Sequence, residues 1–186
     1  MPIIHYFKAK RRRGQRGGAQ MAEFAATIPL IFIFVFGLID LTTYMAAFAT
    51  AGLVANVTAR AAAPSISLTA AKSNADKAAN CVLNGSDCPG GPTSMRFADF
   101  CNLTPKNSSA LKLAVYQVAV QGGTKSAFSG TVDTSKFFYE YESECTFQIA
   151  PWIPFTALGP IPIIGVSSPM TFKSTSYVEH PEGLTN

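Results

Sequence analysis

Histidine is nearly absent from this chain: 186 residues hold only His5 and His180, one near each end. Nucleophilic catalysis needs a base beside its nucleophile, and His180 stands alone near the C-terminus. No Gly-x-Ser-x-Gly, phosphate-binding loop or dinucleotide fingerprint occurs either. A Cys-x-x-Cys pair is missing as well, and without it two distant histidines make no zinc set. The expectation is a protein that is not an enzyme and carries no cofactor or metal. Charge is sparse too, at 14% of residues, and no acidic residue precedes Glu23.

What stands before Glu23 is basic. Lys8, Lys10, Arg11, Arg12, Arg13 and Arg16 are six of the fifteen basic residues, so residues 1–18 carry the whole positive excess; nine basic against eleven acidic groups remain beyond them, a balance of −2. A basic cluster can bind nucleic acid. This one has no aromatic interleaving beyond Tyr6 and Phe7 and runs directly into an apolar segment, so it reads as a topogenic signal held on the cytoplasmic side, with no nucleic acid partner.

From Met21 to Ile39 Glu23 is the one ionised residue. These nineteen residues, at roughly 1.5 Å each, extend about 28 Å, close to the thickness of bilayer hydrocarbon. One crossing in contact with membrane lipid is expected. Asp40 falls near the outer interface as a solvated residue, with Tyr44 about a turn later as an interfacial anchor. Pro29 removes a helix donor within the span, and Thr27 is a candidate to satisfy freed groups nearby. Glu23 is the costly residue: a charge at the centre of a spanning helix costs roughly 2.5 to 3.5 kcal/mol by insertion scales, so it calls for a partner or a task.

Helical pattern continues beyond the span. Tyr44 to Ala63 lacks proline and sets Ala47, Ala51, Ala55, Ala59 and Ala63 at i, i+4 spacing, one stripe of small residues. A single helix from Ala19 to Ala63 would run roughly 68 Å. The stripe could pack on the chain's own sheet or meet a neighbouring subunit, and sequence leaves both open. Ala61-Ala62-Ala63 looks like a signal-peptidase site, but a signal peptide has an apolar region of roughly 7 to 15 residues, far shorter than this one.

Pro64 ends the long helix, and Ser67 caps a second, shorter one that stops near Asn84-Gly85. Residues 85–110 are rich in Gly, Pro, Ser, Asn and Asp and read as irregular. Strands follow at Leu111–Gln121, Lys136–Ile149 and Met170–Glu179. In the second, Phe137, Tyr139, Tyr141, Cys145, Phe147 and Ile149 share one face, while Lys136, Glu140, Glu142, Glu144, Thr146 and Gln148 share the other. The three glutamates read as a solvated strand face rather than an acid-base or metal site. Four prolines between Pro151 and Ile164 stiffen an apolar connection that is either core or a binding surface. The fold class is α+β: a long N-terminal helix, a short helix and a small antiparallel sheet.

Four cysteines, Cys81, Cys88, Cys101 and Cys145, all follow the span, on the side the basic leader assigns to an oxidising compartment. Two disulfides fit that count. Three pairings are open; Cys81–Cys88 with Cys101–Cys145 is preferred, because the first closes a short loop around Asn84-Gly85.

Gly18-Ala19-Gln20-Met21-Ala22-Glu23-Phe24 puts Glu at the fifth and an aromatic at the sixth position after a glycine. That register resembles the processing site of type IVb prepilins. With Ala25-Ala26, Pro29, Gly37-Leu38-Ile39-Asp40 and Thr58-Ala59-Arg60-Ala61-Ala62, residues 11–63 are similar to the TadE family of minor pilins or pseudopilins from tight-adherence pilus systems. The resemblance implies a basic prepilin leader (1–18), a transmembrane and extended helix (19–63) and a periplasmic α+β domain (64–186). It implies cleavage between Gly18 and Ala19 by a prepilin peptidase. It further implies pairing of Glu23, beside Phe24, with a neighbour's new amino terminus, and partnership with other pilins and with the Tad assembly platform. The setting would be a bacterial inner membrane, with the N-terminus cytoplasmic. The other readings are a minor pseudopilin of a type II secretion system, whose usual leader differs, and a single-pass anchored periplasmic binding or scaffold protein that never enters a pilus.

Overall fold

The computed structural model describes residues 3–91, 101–150 and 168–185. It is an α+β protein with one long helix, one short helix and a small antiparallel sheet, and it divides into two compact units, Met1–Leu41 and Thr42–Asn186.

The first unit is helix alone. Helix α1 runs Ile3–Ala62, so helical backbone already begins within the basic leader. Around the proline, Phe24, Leu30, Ile31 and Phe34 expose their side chains. Apolar groups of this size are exposed in a folded chain where the surrounding medium is itself apolar, and the segment from Glu23 onward is apolar and long enough to cross a membrane. Pro29 takes the hydrogen-bonding partner from the Ala25 carbonyl. The Thr27 hydroxyl does not replace it: it donates to the carbonyls of Glu23 and Phe24, at 2.9 and 3.1 Å. Asp40 is buried rather than solvated, contrary to the sequence expectation.

In the second unit the rest of α1 and helix α2 (Leu68–Asn84) cover one face of the sheet. α2 has the ends its sequence calls for. Ser67 accepts a hydrogen bond from the Ala70 amide at 3.2 Å, and Gly85 closes the helix at φ 73°, donating to the Cys81 carbonyl. The sheet comprises β1 (Leu103–Thr104), β2 (Leu111–Ala119), β3 (Lys125–Ala127), β4 (Phe137–Ile149) and β5 (Ser168–Tyr177). β4 is its axis. β2 pairs with its first part, Leu111 opposite Cys145, and β1 with its last, Leu103 opposite Ile149; β5 takes the other side, Ile149 opposite Ser168, and β3 extends the sheet beyond β2. The two-residue β1 and three-residue β3 escaped sequence reading because neither is long enough to show alternation.

Alternation along β4 sets the core. Tyr139, Tyr141, Ser143, Cys145, Phe147 and Ile149 are all buried. Phe147 and Ile149 pack with Leu103, Leu83 and the α1 residues Ala47, Ala51, Val54 and Ala55, while Tyr139 and Tyr141 pack with Ala62, Ala71, Ala75 and Leu184. The alanine stripe therefore serves the chain's own sheet: small side chains let a helix lie close to aromatic residues projecting from a strand. Ile66 and the C-terminus complete this end. The Glu179 amide donates to the Ala63 carbonyl, and Gly183 lies so close that a methyl group there would overlap the Ile66 carbonyl.

The proline-rich connection at 151–166, and residues 92–100 of the irregular stretch, lie outside the described residues.

Candidate functional site

Gly18 and Ala19 fall within the helical backbone of α1, five residues before Glu23 in the case of the glycine. Glu23 and Phe24 are both exposed on the helix surface, Phe24 at 66%. In an apolar medium an exposed carboxylate has no water to solvate it, and the arrangement offers it to a cationic group from outside the helix.

The cysteines divide into two kinds. Cys81 and Cys88 form a disulfide across seven residues, their Cα atoms 4.7 Å apart. α2 ends between them at Gly85, so the chain reverses there and brings the two together. The expected second bridge does not form: Cys101 and Cys145 are free, buried thiols. The reason is their spacing across the core. Cys101 lies 3.7 Å from the Thr50 hydroxyl, whereas Cys145 lies 3.7 Å from the Ser143 hydroxyl, which itself meets Thr58 at 2.6 Å. Thr50 and Thr58 are eight helical residues apart, about 12 Å, and a disulfide needs Cα atoms within roughly 7 Å. Strand register agrees, since β1 pairs with the Ile149 end of β4, four residues past Cys145.

Those thiols belong to polar contacts that sequence reading missed. Thr58 donates to the carbonyls of Val54 and Ala55, which leaves Ser143 to donate to Thr58. Burial pushes the Cys145 thiol pKa up, against its side-chain interactions with Ser143 and Thr58, which act the other way. Cys145 is therefore a protected neutral thiol rather than a nucleophile. The Tyr141 hydroxyl is also buried, has no hydrogen-bond partner among the described residues, and has its pKa raised by desolvation. Ser143 gave a signal, a polar residue in phase with the aromatic face of β4, though nothing in sequence identifies Thr58 as its partner.

On the opposite face of the sheet, Glu140, Glu142 and Glu144 are tied up rather than freely solvated. Lys125 of β3 reaches Glu142 at 2.8 Å and Glu140 at 3.4 Å, and Lys173 of β5 reaches Glu144 at 3.0 Å and Glu142 at 3.3 Å. Glu142, between both lysines, keeps only 13% of its side chain exposed. The Lys125 hydrogen bond leads in lowering its pKa, with Lys173 assisting and burial opposing. For Lys125, burial works against the charge, but the bonds and charges of Glu142 and Glu140 together raise its pKa; its ammonium also sits 4.5 Å from the Tyr116 ring centre. Two cations interleaved with three anions make a closed charge ladder. Among the described residues no group of three or more His, Cys, Asp or Glu is arranged to hold a metal ion.

A shallow cavity of about 310 Å³, lined by Phe138, Tyr139, Tyr177 and Val178, opens at the far end of the sheet. The Tyr139 hydroxyl is already engaged, accepting from the Asp133 amide at 2.6 Å. No protein-family profile, curated protein or solved structure matches the chain.

Proposed function

We propose that this chain is a TadE-like minor pilin or pseudopilin: a membrane-anchored subunit, processed by a prepilin peptidase, that takes part in assembling, priming or capping a tight-adherence pilus. The observation that carries the reading is the exposed Glu23 at the start of an apolar helix, five positions after Gly18 and followed by Phe24. A carboxylate there is costly unless a cation meets it, and cleavage after Gly18 would create one, the α-amino group of Ala19 on a neighbouring subunit. Pairing the two relieves both charges of an unpartnered place in hydrocarbon. The Cys81–Cys88 disulfide supports an outside location for the second unit, since such bonds persist in oxidising compartments. The basic leader supports a cytoplasmic N-terminus.

The length of chain beyond α1 supports a minor role, because major subunits of these pili are very short. The partners in this reading are the prepilin peptidase, other pilins and the proteins of the assembly platform. Intact mass of the membrane-extracted protein tests processing: the mature chain begins at Ala19 and keeps 168 residues. A start at Met1 or Pro2 would leave an anchored periplasmic binding or scaffold protein outside any pilus. Glu23→Gln tests the contact itself. Insertion and cleavage proceed, while fibre number and surface adherence fall. Breaking a buried ion pair costs about 3 to 5 kcal/mol, two decades or more in subunit docking at about 1.4 kcal/mol per decade. Wild-type piliation by Glu23→Gln at matched protein level overturns the assembly role.

A further inference from the structure

Beyond the charge ladder, the outward face of the sheet ends in a small square of residues. Glu140 lies opposite Tyr177 across β4 and β5, and the Val178 amide donates to the Tyr139 carbonyl at 2.9 Å, so the same register continues and sets Glu179 across from Phe138. Aromatic side chains occupy one diagonal of the square and carboxylates the other. Both rings stand in water: Phe138 is 54% and Tyr177 66% exposed, and neither has a ring or a cation against it among the described residues. The cavity of about 310 Å³ is lined by these two residues together with Tyr139 and Val178. Glu179 is exposed and forms no ion pair among the described residues.

The other side of Glu140 shows what such a pairing of ring and carboxylate holds. There its cross-strand partner is Tyr116 of β2, and Lys125 sets its ammonium 4.5 Å from the Tyr116 ring centre and 3.4 Å from the Glu140 carboxylate. On the β5 side ring and carboxylate recur, but the chain's own cations are engaged elsewhere. Lys125 is bound to Glu142 as well as Glu140, Lys136 to Asp133 at 3.1 Å, Lys173 to Glu142 and Glu144, and His180 lies against Glu182. We propose that this cavity receives an arginine side chain from a partner polypeptide. Two aromatic faces and two carboxylates together select a cation. Diagonal neighbours on a sheet carry their side chains roughly 7 to 8 Å apart, which leaves room for one flat group between two rings at contact distances of about 3.5 to 4.0 Å. A guanidinium is flat and stacks on aromatic faces, whereas an ammonium is compact and strongly hydrated. The cavity is shallow and at the small end of ligand sites, which run roughly 300 to 1,000 Å³, so it takes the end of one side chain. Free arginine would bring its own carboxylate towards Glu140 and Glu179; in a polypeptide that group is an amide. The inference concerns the second unit alone and holds whether or not the chain enters a pilus.

Fluorine NMR of the full chain, labelled with meta-fluorotyrosine and held in detergent micelles, tests it. The probe is the peptide acetyl-Gly-Arg-Gly-amide, and its counterpart with citrulline in place of arginine keeps the shape without the charge. The Tyr177 resonance, identified by its loss in Tyr177→Phe, shifts saturably with the arginine peptide and does not move with the citrulline one. Glu179→Gln and Phe138→Leu each weaken that affinity about two- to fivefold, the size of an exposed cation–π or surface charge contact. Glu182→Gln, which removes an exposed carboxylate outside the square, leaves it unchanged. The resonance of buried Tyr141, unmoved in each variant, reports an intact core. No saturable shift with the arginine peptide overturns the proposal, as does an equal shift with citrulline or wild-type affinity in both Glu179→Gln and Phe138→Leu. An equal loss in Glu182→Gln overturns it too, because the peptide would then be following net charge and not the square.

Discussion

Helix α1 runs unbroken through both units, yet its side chains behave in opposite ways in the two. Before Leu41 its large apolar residues point outward, as Phe34 does at 69% exposure; after Thr42 the alanines Ala47, Ala51, Ala55, Ala59 and Ala62 are buried to the last few per cent. Side-chain size marks the difference. Phenylalanine, isoleucine and leucine suit a helix whose surroundings are fluid hydrocarbon, which adapts to any outline. Alanine suits a helix against a sheet, where the partner's shape is fixed and every added methyl must fit. Hydrophobicity alone separates neither half from the other.

The comparison breaks most sharply at the same residue type in both regions. Phe147→Ala, which empties a fully buried position, should destabilise the second unit by about 3 to 5 kcal/mol. Phe34→Ala should leave its unfolding midpoint unchanged, as read by urea titration of the full chain in detergent. Next comes the disulfide, which belongs to the second unit alone. By the loop-entropy relation, Cys81→Ser should cost about 2.5 kcal/mol for so short a loop. Thiol labelling of the native protein should find no reactive cysteine, and denatured, unreduced protein should show two, Cys101 and Cys145; four would place the domain in a reducing compartment. Overpacking gives a smaller contrast: Ala51→Leu should cost about 1 to 3 kcal/mol, while Ala26→Leu, on the exposed face before the boundary, should cost the domain nothing.

The smallest effect probes the water-facing side of the sheet. Glu142 has a lowered pKa in the fold, so its pairs with Lys125 and Lys173 stabilise above the ordinary carboxylate range and lose that contribution as pH falls through the folded value. For the two lysines, raised in pKa, the contribution is complete below their ordinary range and is lost at still higher pH. Glu142→Gln should therefore lower stability by up to about 1 kcal/mol at pH 7, less in high salt, and by almost nothing once pH has fallen below the folded value. A difference between Glu142→Gln and wild type that persists when the carboxyl is protonated in the fold would mean that packing, and not charge, holds the ladder.

Much of this fold was legible because its signals are local. Ser67 and Gly85 mark the ends of α2, alternation marks β4 and its buried Tyr139, Tyr141, Cys145, Phe147 and Ile149, though not the buried Ser143, and the alanine period marks the covered face of α1. The bond between Cys81 and Cys88 is local as well, since a helix end and a reversal lie between them. Legibility stopped where a relation depends on distance through space. Cys101 and Cys145 look like a pair in a count of four, but β-register and the rise of α1 hold them about two helical turns apart. Glu140, Glu142 and Glu144 look like a freely solvated strand face until β3 and β5 bring Lys125 and Lys173 alongside. Asp40 looks like a residue at a wet boundary, yet it is buried.

The sequence by itself therefore determined the apolar span, the basic leader before it, the glycine-to-glutamate register at their junction, the two helices and the three long strands. Each of these rests on composition or period within one stretch of chain, where neighbouring residues are neighbours in space. Tertiary structure decided that the alanine stripe meets the chain's own sheet, which cysteines remain thiols and which lysines neutralise the glutamates. It also decided that Phe48 meets Phe172 of β5 edge-on. Those outcomes depend on strands and helices far apart in sequence reaching a common surface, and a side chain's neighbours there are set by packing geometry that no local pattern records.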